Sequence, residues 1–151
     1  MTNNIPEGFV EFNAGDGFLK TTGGLMIKRV DGVALLGLRV SEKHCNPANI
    51  CHGGMLMTLA DMQLAIGSQA AGEELHKFLP TVHMSCDFVA PTPIGSWLEG
   101  KTVVTKQTRK LVFANCVLTA DGKTVFSASG ILKIPSDTGA FSDVMLPTAS
   151  E

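Results

Sequence analysis

Residues 52–69 read HGGMLMTLADMQLAIGSQ, the longest stretch of helical apolar spacing in the chain. At roughly 100° per residue, Met55, Leu59, Met62 and Ile66 fall on one stripe, the spacing of a helix packed on a sheet. The spacing predicts a helix from Gly53 to about Gln69, with Gly67 and Gly72 near its end. The segments on either side read as strands, so the fold is decided by how a sheet covers this helix.

Before it, LMIKRV (25–30) and VALLGLRV (33–40) flank Asp31-Gly32, a two-residue hairpin signal because glycine takes positive φ without steric cost. SEKHCNPANICH (41–52) is a loop. After the helix, TVHMSCDFVA (81–90) alternates: Val82, Met84, Cys86 and Phe88 face one way, Thr81, His83, Ser85 and Asp87 the other. It is a half-buried strand closed by Pro-Thr-Pro. WLEGKTVVTKQ (97–107), LVFANCVLTA (111–120) and TVFSASGILKI (124–134) follow, the last two joined by a second hairpin signal, Asp121-Gly122. The order is two strands, one long helix and an antiparallel meander of four strands. It predicts an α+β architecture in which one sheet wraps a single helix. Residues 1–22 are an N-terminal extension in which GFVEFNAGDGFLK (8–20) reads as a short helix broken by Gly15 and Gly17. Residues 23–135 make the domain. Residues 136–151, small, polar and aperiodic, are expected to be a mobile tail.

Composition narrows the function. At 151 residues and 44% hydrophobic side chains, the chain suits one domain with a core, since chains of this size bury roughly two-thirds of their unfolded surface. The net charge of −2 and absence of a Lys/Arg run remove the field that draws proteins to nucleic acid or anionic membrane. The start, MTNNIPEGFVEF, lacks a signal-peptide pattern, and the apolar run from Met55 to Ile66 is interrupted by Thr58, Asp61 and Gln63. A soluble, cytoplasmic protein is expected. Of four cysteines, Cys86 and Cys116 fall within strand runs, and free thiols are expected.

The helix carries two features that propensity does not explain. Gly53 and Gly54 are poor helix formers, but at a helix start they leave backbone N–H groups open to a ligand. Those donors, reinforced by the helix dipole, suit a carbonyl oxygen that becomes negative during reaction. The plain alternative is an N-terminal cap with flexible glycines and a packed His52. The second feature is Asp61, the sole charged residue between Gly53 and Ala71. Its wheel neighbours are Gly54, Met57, Thr58, Leu64, Ala65 and Ser68, so it is expected to point away from the sheet. An ordinary solvent face would carry several charges, so this one is expected to be covered. A covered carboxylate must be paired, hydrogen-bonded or protonated, and is a candidate general base. The plain alternative is an Asp satisfied by Thr58 or a water. Eight residues separate Gly53 from Asp61, ~12 Å of helix at ~1.5 Å per residue. One helix cannot bring both to a single carbonyl. Sharing a reaction centre requires the same helix from a second subunit, antiparallel across a two-fold axis.

Asn46, His52-Gly53-Gly54 and Asp61, within HGGMLMTLADMQLA, resemble the hotdog-fold acyl-CoA thioesterases of the phenylacetate-degradation type, in the thioesterase superfamily. The strand order agrees over about residues 20 to 135. The resemblance implies a curved antiparallel sheet around a central helix, a homodimer with a continuous sheet and shared active sites, and a dimer of dimers, that is, a homotetramer. It implies that Gly53 N–H receives the thioester carbonyl and that Asn46 places the water or thioester. It further implies that Asp61 of the partner subunit attacks or activates water, and that Thr81 assists. Two positions depart: Asn49 stands where many relatives have glycine, and Ala65 where relatives with a helical glutamate have a hydroxyl.

Other candidates were weighed alongside. His44-Cys45 and Cys51-His52 offer zinc ligands, but their spacing is not that of zinc sites, and no metal is expected. Cys51 beside His52 is a weak nucleophile candidate, because adjacent side chains diverge. Lys106, Arg109 and Lys110 read as a solvated turn, and by resemblance Arg109 and Lys110 contact coenzyme A phosphates. The methionines fill the core, and Met57 lines an acyl channel. The function expected is hydrolysis of an acyl-CoA to free acid and CoA, with no cofactor, since CoA is part of the substrate. Asp61 acts as base or, alternatively, as nucleophile through a mixed anhydride. The rival readings are a non-catalytic acyl-CoA binding module and, behind it, a hydroxyacyl thioester dehydratase of the same fold.

Overall fold

A computed structural model describes residues 4–13, 15–72 and 78–136. Asp31 and Gly32 have φ of 50° and 75°, and Asp121 and Gly122 of 48° and 83°, so both hairpins turn through two left-handed residues as their Asp-Gly pairs predict. Around these turns lie β2 (Leu25–Val30), β3 (Val33–Arg39), β6 (Leu111–Ala120) and β7 (Lys123–Lys133). The remaining elements are β1 (Val10–Glu11), α1 (Phe18–Thr22), a 3₁₀ turn (Glu42–His44), α2 (Gly53–Ala71), β4 (Thr81–Phe88) and β5 (Trp97–Gln107). The short helix expected in residues 8–20 occupies only Phe18–Thr22. Upstream of it, Val10 and Glu11 pair with Ile27 and Met26 as an edge strand. The tail expected to be mobile falls in residues 137–151, outside those described.

The strands form one antiparallel sheet of order β1-β2-β3-β5-β6-β7-β4. Only β5, β6 and β7 make a meander, which corrects the four-strand expectation. β4 lies at the far edge, paired with β7 from Thr81↔Leu132 to Phe88↔Phe126. The reason lies in the connection: residues 89–96 contain Pro91 and Pro93 instead of a two-residue turn, and carry the chain away from β4 before β5 begins. The other edge of β4 has no strand partner among the described residues.

α2 lies in the curve of this sheet, and Leu59, Leu64 and Ile66 pack against Ile27, Leu36, Leu98, Leu118, Phe126 and Leu132 with no exposed surface. Gly67 lies near the helix end as expected, and Thr102 of β5 stands where its Cβ would be, 2.4 Å from it. One expectation about the helix changes. Leu64, Ala65 and Ser68 are buried rather than on the open face with Asp61, because β7 closes over the later turns: a Cβ on Gly130 would lie 2.6 Å from Leu64 Cδ1. The open strip is therefore narrower, comprising His52, Gly54, Met57, Thr58 and Asp61, all exposed or half-buried, while Met62 is half-buried against the core.

Opposite that strip, Gln63 is fully buried and fully bonded. β3 and β5 pair only from Arg39↔Trp97 to Gly37↔Glu99 and then diverge. Gln63 fills the gap: its Oε1 accepts from Leu36 N–H at 2.7 Å, and its Nε2 donates to Ala34 O at 2.9 Å and to Thr102 Oγ1 at 3.1 Å. Thr102 Oγ1 returns a bond to Gln63 O at 2.8 Å. Gly100 provides room, since a Cβ there would sit 2.8 Å from Gln63 Cγ. Gln63→Leu keeps the volume but orphans Leu36 N–H and Ala34 C=O, at ~1–3 kcal/mol for each unsatisfied group. The expected loss in urea unfolding is about 2–5 kcal/mol, and a loss under ~1 kcal/mol would show that β3 and β5 close on each other without the bridge.

Candidate active site

The loop before α2 is held by backbone bonds that aim the helix start. Cys45 pairs with Cys51 and Ile50 with Pro93 as isolated bridges, Cys51 N–H donates to Thr92 O at 2.8 Å, and His52 N–H to His44 O at 2.8 Å. His52 is the N-cap, its Nδ1 accepting from Gly54 N–H at 2.8 Å, while Met55 and Leu56 N–H donate to His52 O at 2.9 and 3.2 Å. The cap takes Gly54 N–H. Gly53 N–H has no acceptor among the described residues. Glycine at 53 has a second cause that sequence reading missed: a Cβ there would lie 2.8 Å from Phe88 Cε1, and Phe88 stands edge-on to Phe126 at 5.1 Å. The only signal for this contact was an apolar residue ending the β4 alternation.

Asn46 braces the same loop. Its Oδ1 accepts from Ala48 N–H at 3.0 Å and Ile50 N–H at 3.5 Å, its N–H donates to Ile50 O at 2.9 Å, and its O accepts from Asn49 N–H at 2.9 Å. The side-chain amide N–H₂ of Asn46 has no protein partner among the described residues. Asn49 sits at φ 58°, a left-handed position that glycine or asparagine fills at least cost.

Asp61 is half-buried, and its Oδ1 accepts from Thr81 Oγ1 at 2.6 Å. The expectation that it points away from the sheet is corrected: it flanks the first residue of β4, because β4 runs along the far edge beside the open side of the helix. Thr58 does not satisfy Asp61. Its hydroxyl donates back to Gly54 O at 2.8 Å. One chain thus joins Asp61 with Thr81, and Gly53 with Phe88, while Gly53 and Asp61 stay eight residues apart, ~12 Å along the axis. Met57 is 39% exposed on the turn between them.

The other candidates resolve by burial. Burial pushes the Cys51 thiol up to about 12, with nearby Cys45 adding to the effect, so Cys51 stays protonated and is a poor nucleophile near neutrality. Burial also raises Cys116 to about 12, against a backbone hydrogen bond from Lys101 that lowers it. All four cysteines are free. His44 is a packed residue: its Nδ1 accepts from Ser41 N–H at 3.0 Å and its Nε2 meets Thr22 O at 2.8 Å. Among the described residues no three His, Cys, Asp or Glu converge as a metal site, and no helix is long and apolar enough to cross a membrane. Arg109 and Lys110 are exposed in the turn after β5, where Thr108 Oγ1 accepts from Leu111 N–H at 3.0 Å. That turn lies at the Thr81 end of the sheet: Lys110 O accepts from Ile134 N–H and Pro80 O from Lys133 N–H, both at 2.8 Å. Two strand spacings, ~10 Å, separate it from Thr81.

The chain is similar to known proteins in sequence and in fold. The family model described as Thioesterase superfamily matches residues 48–127. A Pseudomonas aeruginosa protein named "Putative esterase" is 34% identical over 133 residues, covering 87% of this chain and 98% of the relative. A Ralstonia eutropha structure described as a "putative thioesterase, phenylacetic acid degradation-related protein" superposes with TM-score 0.66 at 25% identity, over 76% of this chain and 87% of that one. The structure of a Streptococcus pneumoniae hypothetical thioesterase with coenzyme A shares the fold, with TM-score 0.65 at 21% identity over 84% and 98% of the two chains. A curved seven-stranded antiparallel sheet around one main helix, with the helix start and Asp61 inside the matched segment, places the chain in the thioesterase superfamily, in the hotdog fold.

Proposed function

We propose that the protein hydrolyses an acyl-CoA to the free acid and CoA at two equivalent sites between two copies of the chain. In each, Gly53 N–H and Asn46 of one protomer face Asp61 and Thr81 of the other. The observation that carries this reading is the bond of 2.6 Å from Thr81 Oγ1 to Asp61 Oδ1, which orients a carboxylate on the open strip and leaves its second oxygen without a partner among the described residues. That oxygen takes a proton from water as the water attacks the carbonyl. Gly53 N–H stabilises the tetrahedral oxyanion, and collapse expels the CoA thiolate, which recovers the proton from Asp61. Water and thioester become acid and thiol, and the steps call for no cofactor.

Dimerisation is supported by β4, an edge strand with one partner among the described residues, which bears Val82 and Phe88 at 60% and 56% exposure. A second copy adding there extends the sheet and covers the strip in which Asp61 is the sole charge. Pairing of two such dimers into a homotetramer belongs to the same reading. In this reading Arg109 and Lys110, exposed in the turn at the Thr81 end of the sheet, supply the cations for the CoA phosphates. The pneumococcal relative's coenzyme A supports that choice of substrate.

Asp61→Asn is expected to lower kcat by roughly 10² or more with fold and assembly unchanged, as losses of a general base do. Near-normal turnover by a purified, correctly assembled variant would remove Asp61 from the chemistry. Mixing Asp61→Asn chains with Asn46→Ala chains should restore about a quarter of wild-type activity, because half of the randomly formed dimers carry one intact site. Verified heterodimers without recovery would show that each site is built within one chain. The double variant Arg109→Ala/Lys110→Ala should raise KM for acyl-CoA about tenfold while barely changing hydrolysis of a short thioester lacking the nucleotide. Equal losses on both substrates would make the pair structural.

A further inference from the structure

A cavity of about 450 Å³ lies between α1, the 3₁₀ turn and the first turns of α2, and is lined by both chain neighbours of Gly53, His52 and Gly54. Its walls include Phe18 and Thr22 of α1, His44 of the 3₁₀ turn, and Gly54, Met55 and Thr58 of α2. Its volume is that of small-ligand sites. Phe18 is 68% exposed although α1 is fastened beneath it, Leu19 packing on the core and Thr22 O bonded to His44 Nε2 at 2.8 Å. A large aromatic ring is thus held at the mouth with most of its surface exposed.

Several polar groups of the lining are already committed: Thr22 Oγ1 donates to Leu19 O at 2.9 Å, Thr58 Oγ1 to Gly54 O at 2.8 Å, and both ring nitrogens of His44 are engaged. Thr21, Lys43 and His52 also line the cavity. Thr22 and Thr58 have spent their hydroxyl hydrogens and, with Phe18 and Met55, offer an occupant apolar surface, so this part of the lining suits an apolar guest. α1 and the 3₁₀ turn precede residue 48, where the family match begins, so this wall belongs to the less general part of the chain.

We propose that this cavity receives the acyl group of the thioester, that the acyl group is an apolar chain or ring, and that Phe18 of the N-terminal extension sets how large an acyl group is favoured. The proposal rests on the thioesterase reading above and deepens it. A carbonyl held at Gly53 N–H sends its acyl chain past Gly54 and Met55 and under the Phe18 ring. The chain and the ring then cover each other, and each buried methylene gains roughly three- to fivefold in affinity.

Two substitutions at exposed positions of α1 test this: Phe18→Ala removes the ring, and Thr21→Trp fills the cavity from its rim. The readouts are the kcat/KM ratio of decanoyl-CoA to acetyl-CoA, and the ratio of Kd for the non-hydrolysable thioethers decyl-CoA and ethyl-CoA by calorimetry. The wild type is expected to favour the longer chain in both, and each variant to reduce that preference about tenfold or more. Calorimetry separates the two readings. Thioether preference that the variants erase, without turnover of any acyl-CoA, upholds the cavity and overturns the hydrolase. Turnover with no preference in the wild type, or with a preference that neither variant changes by more than twofold, overturns the cavity and leaves the hydrolase standing.

Discussion

The fold depends on the side-chain amide of one buried residue. A sheet that curves around a helix strains its own pairing, and here β3 and β5 separate after Gly37↔Glu99, leaving backbone groups that would otherwise be orphaned in the core. Gln63 answers Leu36 N–H and Ala34 C=O at once and ties both to Thr102 on β5. The bridge fixes the depth of the helix, which is why Gly67 and Gly100 carry no side chain beside it. It also fixes the rotation. Asp61 lies two residues from Gln63, about 200° around the helix, so holding Gln63 in the core turns Asp61 to the open strip.

From that rotation the chemistry of the site follows. The strip offers a donor at its start, Gly53 N–H, and a carboxylate two turns on, with His52 having taken the neighbouring N–H for the cap. One rigid helix keeps the two apart, ~12 Å along its axis, so within one chain they do not meet at a single carbonyl. β4 touches both ends of the strip: its first residue, Thr81, orients Asp61, and its last, Phe88, leaves no room for a side chain at position 53. The proposed dimer uses this same strand, whose second edge has no strand partner among the described residues.

Much of this was legible because it is written locally. Asp31-Gly32 and Asp121-Gly122 announce their hairpins through backbone preferences confined to two residues, and the period of Met55, Leu59 and Ile66 announces the helix through spacing alone. Gln63 was not legible. In the sequence it is a polar residue that interrupts an apolar run, and only the divergence of β3 and β5 makes it a bridge. The reason for Gly67 was not legible either: its place near the helix end could be read from spacing, but its lack of a side chain answers the approach of Thr102, thirty-five residues away. The place of β4 was hidden too, since alternation shows that a strand has two faces and says nothing about which neighbour it pairs with.

The residue types of the candidate site were thus readable before any coordinates. A lone acid in an apolar helix and two glycines at that helix's head are anomalies of composition, and their separation along the axis follows from helix geometry. Their surroundings were decided by packing: the Thr81 hydroxyl on Asp61, the Phe88 ring against Gly53, and α1 walling a cavity beside Gly54. Each of these joins residues twenty or more positions apart. Backbone preference and periodicity act over a few residues, so they are carried by the local sequence, whereas contacts across such separations exist only once the core has set where every strand lies around the helix.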